Sequence, residues 1–258
     1  NVGLGDNAGT AITSGANNTA IGYNSLQANT TGDENTAIGR SALYTNTTGD
    51  KNVALGRDAL HANTTASNNT AVGWSALLAN TTGANNVALG KNAGLSGTTH
   101  YSAVYIGANA GDAVTTAGQN TFIGFDSGTS TTTGADNTAI GDRTFKTATT
   151  GNTNVAVGGT SMENTTTGSD NVGVGWGSLR ANTTASNNTA VGRDALKANT
   201  TGAHNTASGR QSLKANTTGV SNVAMGSDSL LSNTTGNYNS ALGNQVLYNN
   251  TTASYNTG

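Results

Sequence analysis

The sequence has no cysteine and no proline, and its 258 residues include only 11 basic and 13 acidic side chains. Without cysteine there is no disulfide framework and no thiolate metal site, an absence compatible with an extracellular location. Hydrophobic residues make up 34% of the chain, and no apolar run approaches the roughly 20 residues of a membrane helix. No basic block marks a nucleic-acid partner, and no signal-peptide pattern is present. A chain so poor in hydrophobic residues would read as disordered if it also carried a high net charge and lacked register. Its net charge is only −2, and its register is strict.

The register is a period of 17. Asparagine opens a copy at Asn1, Asn18 and Asn35 and returns at that interval to Asn239 and the stub Asn256-Thr257-Gly258, with Ala103 the one substituted slot. The chain is therefore 15 copies without an insertion or deletion, which is the signature of a solenoid. Each copy is taken as one rung, its residues numbered as columns 1 to 17. The boundaries of the chain fall on repeat boundaries, which predicts a single repeat domain over 1–258 cut from a longer fibre.

Column 5 is glycine in every copy, from Gly5 to Gly243. Glycine tolerates positive φ and close backbone approach, so a tight corner after a strand is expected there. Columns 2 and 4 hold Thr, Val or Ser and a nearly unbroken aliphatic series (Ile21, Leu55, Val72, Met225; Ser208 is the polar exception). Strand alternation puts these two columns on one face, predicted to be the interior. Column 3, with eleven alanines, Gly3, Gly173, Tyr105 and Phe122 and never a charge, is then expected to face outward and pack against another chain. The alternative is a tightly turned coil in which column 3 also faces inward.

A second strand is predicted over columns 8 to 11, as in Ser25-Leu26-Gln27-Ala28, with columns 9 and 11 inward and column 10 toward water. Columns 12 to 15, usually Asn-Thr-Thr-Gly, read as the return turn. All charges fall in columns 6, 7, 10, 16 and 17, the solvent rim. Stacking at roughly 4.8 Å per rung would bring the column 1 asparagines into an amide ladder and make a coil about 70 Å long. The expected fold is thus all-β, a parallel β-solenoid (β-roll) of 15 rungs with two short strands each. One aliphatic residue and one leucine per rung make a lean core, which predicts a homo-oligomer, most simply a trimer with the alanine column on its axis.

The segments Asn35-Thr36-Ala37-Ile38-Gly39, Asn52-Val53-Ala54-Leu55-Gly56 and Asn154-Val155-Ala156-Val157-Gly158, each followed by a small-residue stretch and a turn, resemble the head repeats of YadA-type trimeric autotransporter adhesins. Similar repeats occur in phage tail fibres. The resemblance implies a left-handed β-roll, three chains to a bundle, and attachment to host surfaces. The adhesin repeat is shorter, the Asn-Thr-Thr-Gly turn supplying the difference.

From 86 to 170 the pattern loosens. Column 9 leucine becomes Gly94, Gly111, Gly128, Phe145 and Met162, while Tyr105 and Phe122 replace alanine in column 3 of adjacent rungs. Lost leucine volume beside gained aromatic volume predicts local repacking; a binding waist is the functional alternative.

Chemistry is sparse. Gly3-Leu4-Gly5-Asp6-Asn7-Ala8-Gly9 brushes a phosphate-loop pattern without its lysine or its strand–helix context. His61, His100 and His204 fall in different columns of distant rungs, and acidic residues never recur in a fixed column as calcium-binding repeats require. Asp33, Glu34 and Asp50 come near one another on a solvated rim, without apolar walls to shift a pKa for glycan cleavage. Tyr23, Trp74, Phe125 and Trp176 all occupy column 6 as outward aromatics, candidate sugar-stacking platforms. Asn29, Asn46 and Asn63 match the N-glycosylation pattern but would be blocked if they form a ladder. No catalytic, cofactor or metal residue is therefore assigned, and no enzyme activity is expected. The expectation is a structural or adhesive fibre segment on a cell surface or virion, a rigid spacer and attachment shaft whose partners are copies of itself and a host glycan or protein receptor. Membrane insertion is not expected of this segment. The rival from another class is an ice-binding β-solenoid that orders water on its Thr and Asn columns.

Overall fold

The computed structural model describes residues 1–258. It is an all-β parallel solenoid with no helix and one three-residue strand per rung. Two compact units divide the chain, 1–133 and 134–258. In the first, β1 (Val2–Leu4) to β8 (Thr121–Ile123) pair in sequence order, each parallel to the next. In the second, β9 (Thr138–Ile140) to β15 (Ser240–Leu242) do the same. Register is unshifted: Thr19, Ala20 and Ile21 lie against Thr36, Ala37 and Ile38.

Columns 2 to 4 alone form the strand. Columns 8 to 11 are turns, so the predicted second strand is corrected. The reason lies in the backbone angles. Column 9 sits in the left-handed region, with φ between 48° and 52° for its nine leucines, and columns 7 and 17 share that conformation. Three left-handed residues plus the column 5 glycine bend the chain through a full turn within each rung. Hydrogen bonding to neighbouring rungs nevertheless continues around the coil. Thr19 N donates to Asn35 O at 2.8 Å, Leu26 N to Ala42 O at 2.9 Å and Thr30 N to Thr47 O at 2.9 Å.

The column 5 glycines have φ between 121° and 140°. A Cβ on Gly22 would lie 2.7 Å from Gly39 O in the next rung, so both conformation and proximity demand glycine there.

The faces of the strand are reversed from expectation. Column 3 is the interior: Ala20, Ala37, Ala54 and their equivalents are buried, and so are Tyr105 and Phe122. Columns 2 and 4 face outward, with Leu55 43%, Leu89 48% and Val53 37% exposed. A three-residue strand in so thin a coil can turn one side chain inward, and the space opposite is taken by column 9. Only a small residue fits between, which is why column 3 is alanine. Columns 8 and 9 are buried as well, whereas column 11 is half-exposed.

Buried asparagines replace much of the missing apolar core. In column 1, Asn35 Nδ2 donates to Gly49 O (2.8 Å), and Asn35 Oδ1 accepts from Asn52 N (3.0 Å) and Asn52 Nδ2 (3.1 Å). Column 12 forms a second ladder, where Asn46 Nδ2 donates to Asn29 Oδ1 and to Gly49 O, both at 2.9 Å. Column 13 adds a third series, Thr30 Oγ1 donating to Thr47 O at 3.1 Å. The buried amides of Asn29, Asn35, Asn46 and Asn52 are thereby bonded, as burial of polar groups requires.

Candidate interaction surfaces

Three surface features and one buried cluster carry what side-chain chemistry the chain has. The first is the outward strand face. Columns 2 and 4 present threonine or valine beside Ile, Val, Leu or Met in rung after rung, with no charge in any copy. Within 1–133 it carries Leu55 and Leu89; within 134–258, Val191 at 41% and Met225 at 43% exposed.

The second is column 6, at the corner after the strand. Tyr23, Trp74, Phe125 and Trp176 are all exposed there, as their column predicts. Stacked rungs place cations beside the tryptophans. The Arg57 guanidinium is 5.8 Å and Lys91 Nζ 5.0 Å from the Trp74 ring; Arg193 and Lys197 stand 5.5 Å and 5.3 Å from the Trp176 ring. These distances suit cation–π attraction.

The third is a groove of about 630 Å³ along columns 10 and 11 of the second unit. Its floor includes Ala181, Ala198 and Ala215, and its rim Arg180, Lys197 and Lys214. The sequence hid it, because successive cations are a whole repeat apart and meet only when rungs stack.

The buried cluster lies in the loosened rungs. A Cβ on Gly111 would lie 2.6 Å from the Tyr105 ring and 3.1 Å from that of Phe122, and one on Gly128 would overlap Phe122. The glycines of column 9 make room for the aromatics of column 3, so the repacking expected from volume is what the structure has. The ring centroids of Tyr105 and Phe122 are 5.8 Å apart, and His100 lies 5.5 Å from Tyr105. His100 fills the space of a missing column 12 asparagine: a side chain on Gly97 would overlap the imidazole. Neither His100 nitrogen nor the Tyr105 hydroxyl has a hydrogen-bond partner, and burial holds the imidazole at about 4 and raises the phenol. Asn80 Oδ1 is also unpartnered, because Gly97 in the next rung supplies no amide to it. Nearer the surface, burial and the charge of Asp126 raise the Asp112 carboxyl.

The remaining residues singled out by sequence do not converge. Asp33 and Asp50 act as backbone acceptors, taking bonds from Ala16 N at 2.7 Å and Asp33 N at 2.8 Å. Glu34 donates its own N–H to Ala16 O. His61 stacks on Tyr44 at 5.0 Å, His100 is internal, and His204 donates its backbone N–H to Ser186 O. No three His, Cys, Asp or Glu side chains gather at one point, and Gly3 to Gly9 form the corner of the first rung. Asn29, Asn46 and Asn63 are buried in the column 12 ladder, where their amides are engaged. No helix is long and apolar enough to cross a membrane.

No protein-family model matches the chain, and comparison with curated proteins finds no match either. The class is therefore defined by fold alone: a parallel β-solenoid repeat protein.

Proposed function

We propose that the chain is a shaft segment of a trimeric extracellular fibre, of the kind found in bacterial surface adhesins and phage tails, acting as spacer and attachment surface without catalysis. The observation that carries this reading is the uncharged, half-exposed aliphatic face of columns 2 and 4. A ladder of valine, leucine and isoleucine left in water rung after rung marks an interaction surface, and a straight repeating face is matched most simply by copies of itself. The axis of the trimer then lies against columns 2 and 4, not against the alanine column. The likeness of Asn-Thr-Ala-Ile-Gly to the adhesin repeat supports the same arrangement and a left-handed coil.

Light scattering on the folded chain tests it. A mass three times that of the 25.5 kDa chain is expected; a folded particle of one chain mass overturns the trimer.

The second reading is ice binding. It is favoured by the same face, where Thr19, Thr36 and Thr70 stand outward beside Ile21, Ile38 and Val72 in regular register. The column 13 threonines do not contribute, since their hydroxyls bond to the next rung. Thermal hysteresis from a monomeric chain would establish this reading in place of the fibre.

A further inference from the structure

We propose that the groove over columns 10 and 11 of rungs 11 to 13, with the Trp176 ring at its side, binds an acidic polysaccharide, a polymer of carboxylated (uronic-acid) sugars. In the other rungs column 10 mixes residues such as Gln27, Tyr44, His61, Asp112, Lys146 and Glu163. In three successive rungs it becomes Arg180, Lys197 and Lys214, so stacking sets cations at the rung interval of roughly 4.8 Å. Five of the 11 cationic side chains of the chain fall between Arg180 and Lys214, with Asp194 the only acid among them.

The cations are held in place by neighbours. Arg180 Nε donates to Glu163 Oε2 at 2.8 Å, and Lys197 Nζ lies 3.0 Å from Asp194 Oδ1. Lys214 reaches the neutral amide of Gln211 at 3.0 Å when that amide is turned to satisfy both its neighbours. Positioned cations lose less freedom on binding than free ones. Lys197 joins the two parts of the site, lining the groove while standing 5.3 Å from the Trp176 ring.

The chemistry selects a sugar over a nucleic acid. Glu163, Asp194 and Asp228 already offset three of the cations, Asp228 through Arg210 at 2.9 Å. The surplus of positive charge is small, and the chain as a whole is net negative. Phosphate backbones demand dense, uncompensated cations. A uronic-acid chain carries sparser charge than duplex DNA, with its one charge per roughly 1.7 Å, and presents flat C–H faces, which match an alanine floor and an exposed indole. This site requires neither the trimer nor the fibre: columns 3 and 9 of the core separate it from the strand face.

Calorimetric titration of the full chain with a galacturonic-acid hexamer, maltohexaose and a DNA hexanucleotide decides the matter. The uronic hexamer is expected to bind saturably and to weaken with added salt, and the neutral hexamer to bind far less. Lys197→Gln and Lys214→Gln should each weaken binding about tenfold, as loss of a charged hydrogen bond does. Trp176→Ala should weaken it too, while Lys214→Arg and the Arg40→Gln/Arg57→Gln pair in the first unit leave it unchanged. Melting curves confirm that each variant folds. No binding of the uronic hexamer, equal binding of the neutral one, equal or tighter binding of the hexanucleotide, or indifference to the groove variants would each overturn the site. The mass measurement above is independent of the titration, so either proposal can fail alone.

Discussion

Rungs 2 to 5 and rungs 6 to 8 of the first unit have the same backbone and different interiors. In the regular rungs Leu26, Leu43, Leu60 and Leu77 pack against alanines and an unbroken amide ladder from Asn29 to Asn80. In rungs 6 to 8 glycine takes the leucine position, Tyr105 and Phe122 fill the space, and column 12 becomes Gly97, Val114 and Thr131. Strand register and rung-to-rung backbone bonds are the same in both. The backbone therefore fixes a volume per rung, and which side chains fill it is negotiable. The amide ladder is dispensable locally, but each break leaves unpaired polar atoms behind.

The sharpest way to break the comparison is to mix the two solutions. Gly128→Leu alone forces a side chain into the Phe122 ring, and Phe122→Ala alone leaves a cavity. In urea unfolding Phe122→Ala is expected to cost about 3–5 kcal/mol and Gly128→Leu about 1–3 kcal/mol. The double variant Phe122→Ala/Gly128→Leu recreates the alanine–leucine pair of a regular rung and should recover most of that loss, a coupling that independent sites would not show. Simple addition of the two losses would refute the volume rule.

Next in size is the response to acid. His100 is neutral and buried with its pKa held near 4, below the ordinary 6.5. The unfolded chain takes up a proton first as pH falls, so stability is full above 6.5 and declines toward pH 4, by roughly 3 kcal/mol at most. The double variant Gly97→Asn/His100→Gly restores the Asn-Thr-Thr-Gly turn and gives Asn80 Oδ1 a donor. Its melting midpoint should lose that dependence between pH 7 and 4; an unchanged slope would show that other groups carry it.

Much of the fold is legible in the sequence, and what is not has three separate causes. Period, parallel register, the glycine corner, the column 1 ladder and the aromatic–glycine exchange all follow from which residue types a column admits. The inversion of columns 2 to 4 does not, because alternation says which residues share a face but not which face is inside. Aliphatic outward and alanine inward contradicts the usual burial preference, and it arises because column 9 already fills the narrow interior. The left-handed leucines were hidden because leucine rarely adopts that conformation. A signal for them exists: Gly9, Gly94, Gly111 and Gly128 alternate with leucine in column 9, as glycine does where φ is positive. The cationic groove needed the stack itself, since its three cations are separated by whole rungs.

A smaller effect separates the regions by their ladders. Asn46→Ala removes the two bonds that Asn46 Nδ2 donates at 2.9 Å, one of them to the buried Asn29 Oδ1, and takes from Asn63 Nδ2 one of its two acceptors, Asn46 Oδ1 at 2.8 Å. About 2 kcal/mol should be lost. Thr131→Val, at the same column in rung 8, removes a buried hydroxyl that has no partner and should be neutral or slightly stabilising. Equal losses at the two positions would mean that the ladder contributes nothing beyond side-chain packing.

The smallest effect on folding should come from the outward strand face, and it discriminates most on function. Leu55 and Leu89 are nearly half-exposed in the single chain, so Leu55→Gln with Leu89→Gln should change the intrinsic stability of one coil by less than about 1 kcal/mol. If that face lines the axis of a trimer, the same substitutions place polar amides in an apolar interface three times over, and the particle should fall apart into single chains that remain folded. Circular dichroism and light scattering on one sample then give opposite answers, an unchanged folded signal and a threefold loss of mass, with a melting point lowered only by the lost association. A variant that keeps its mass shows that columns 2 and 4 face something other than a second copy. If the unsubstituted chain is itself monomeric, the same face stands free, and its threonines and valines are left to contact water or a foreign surface.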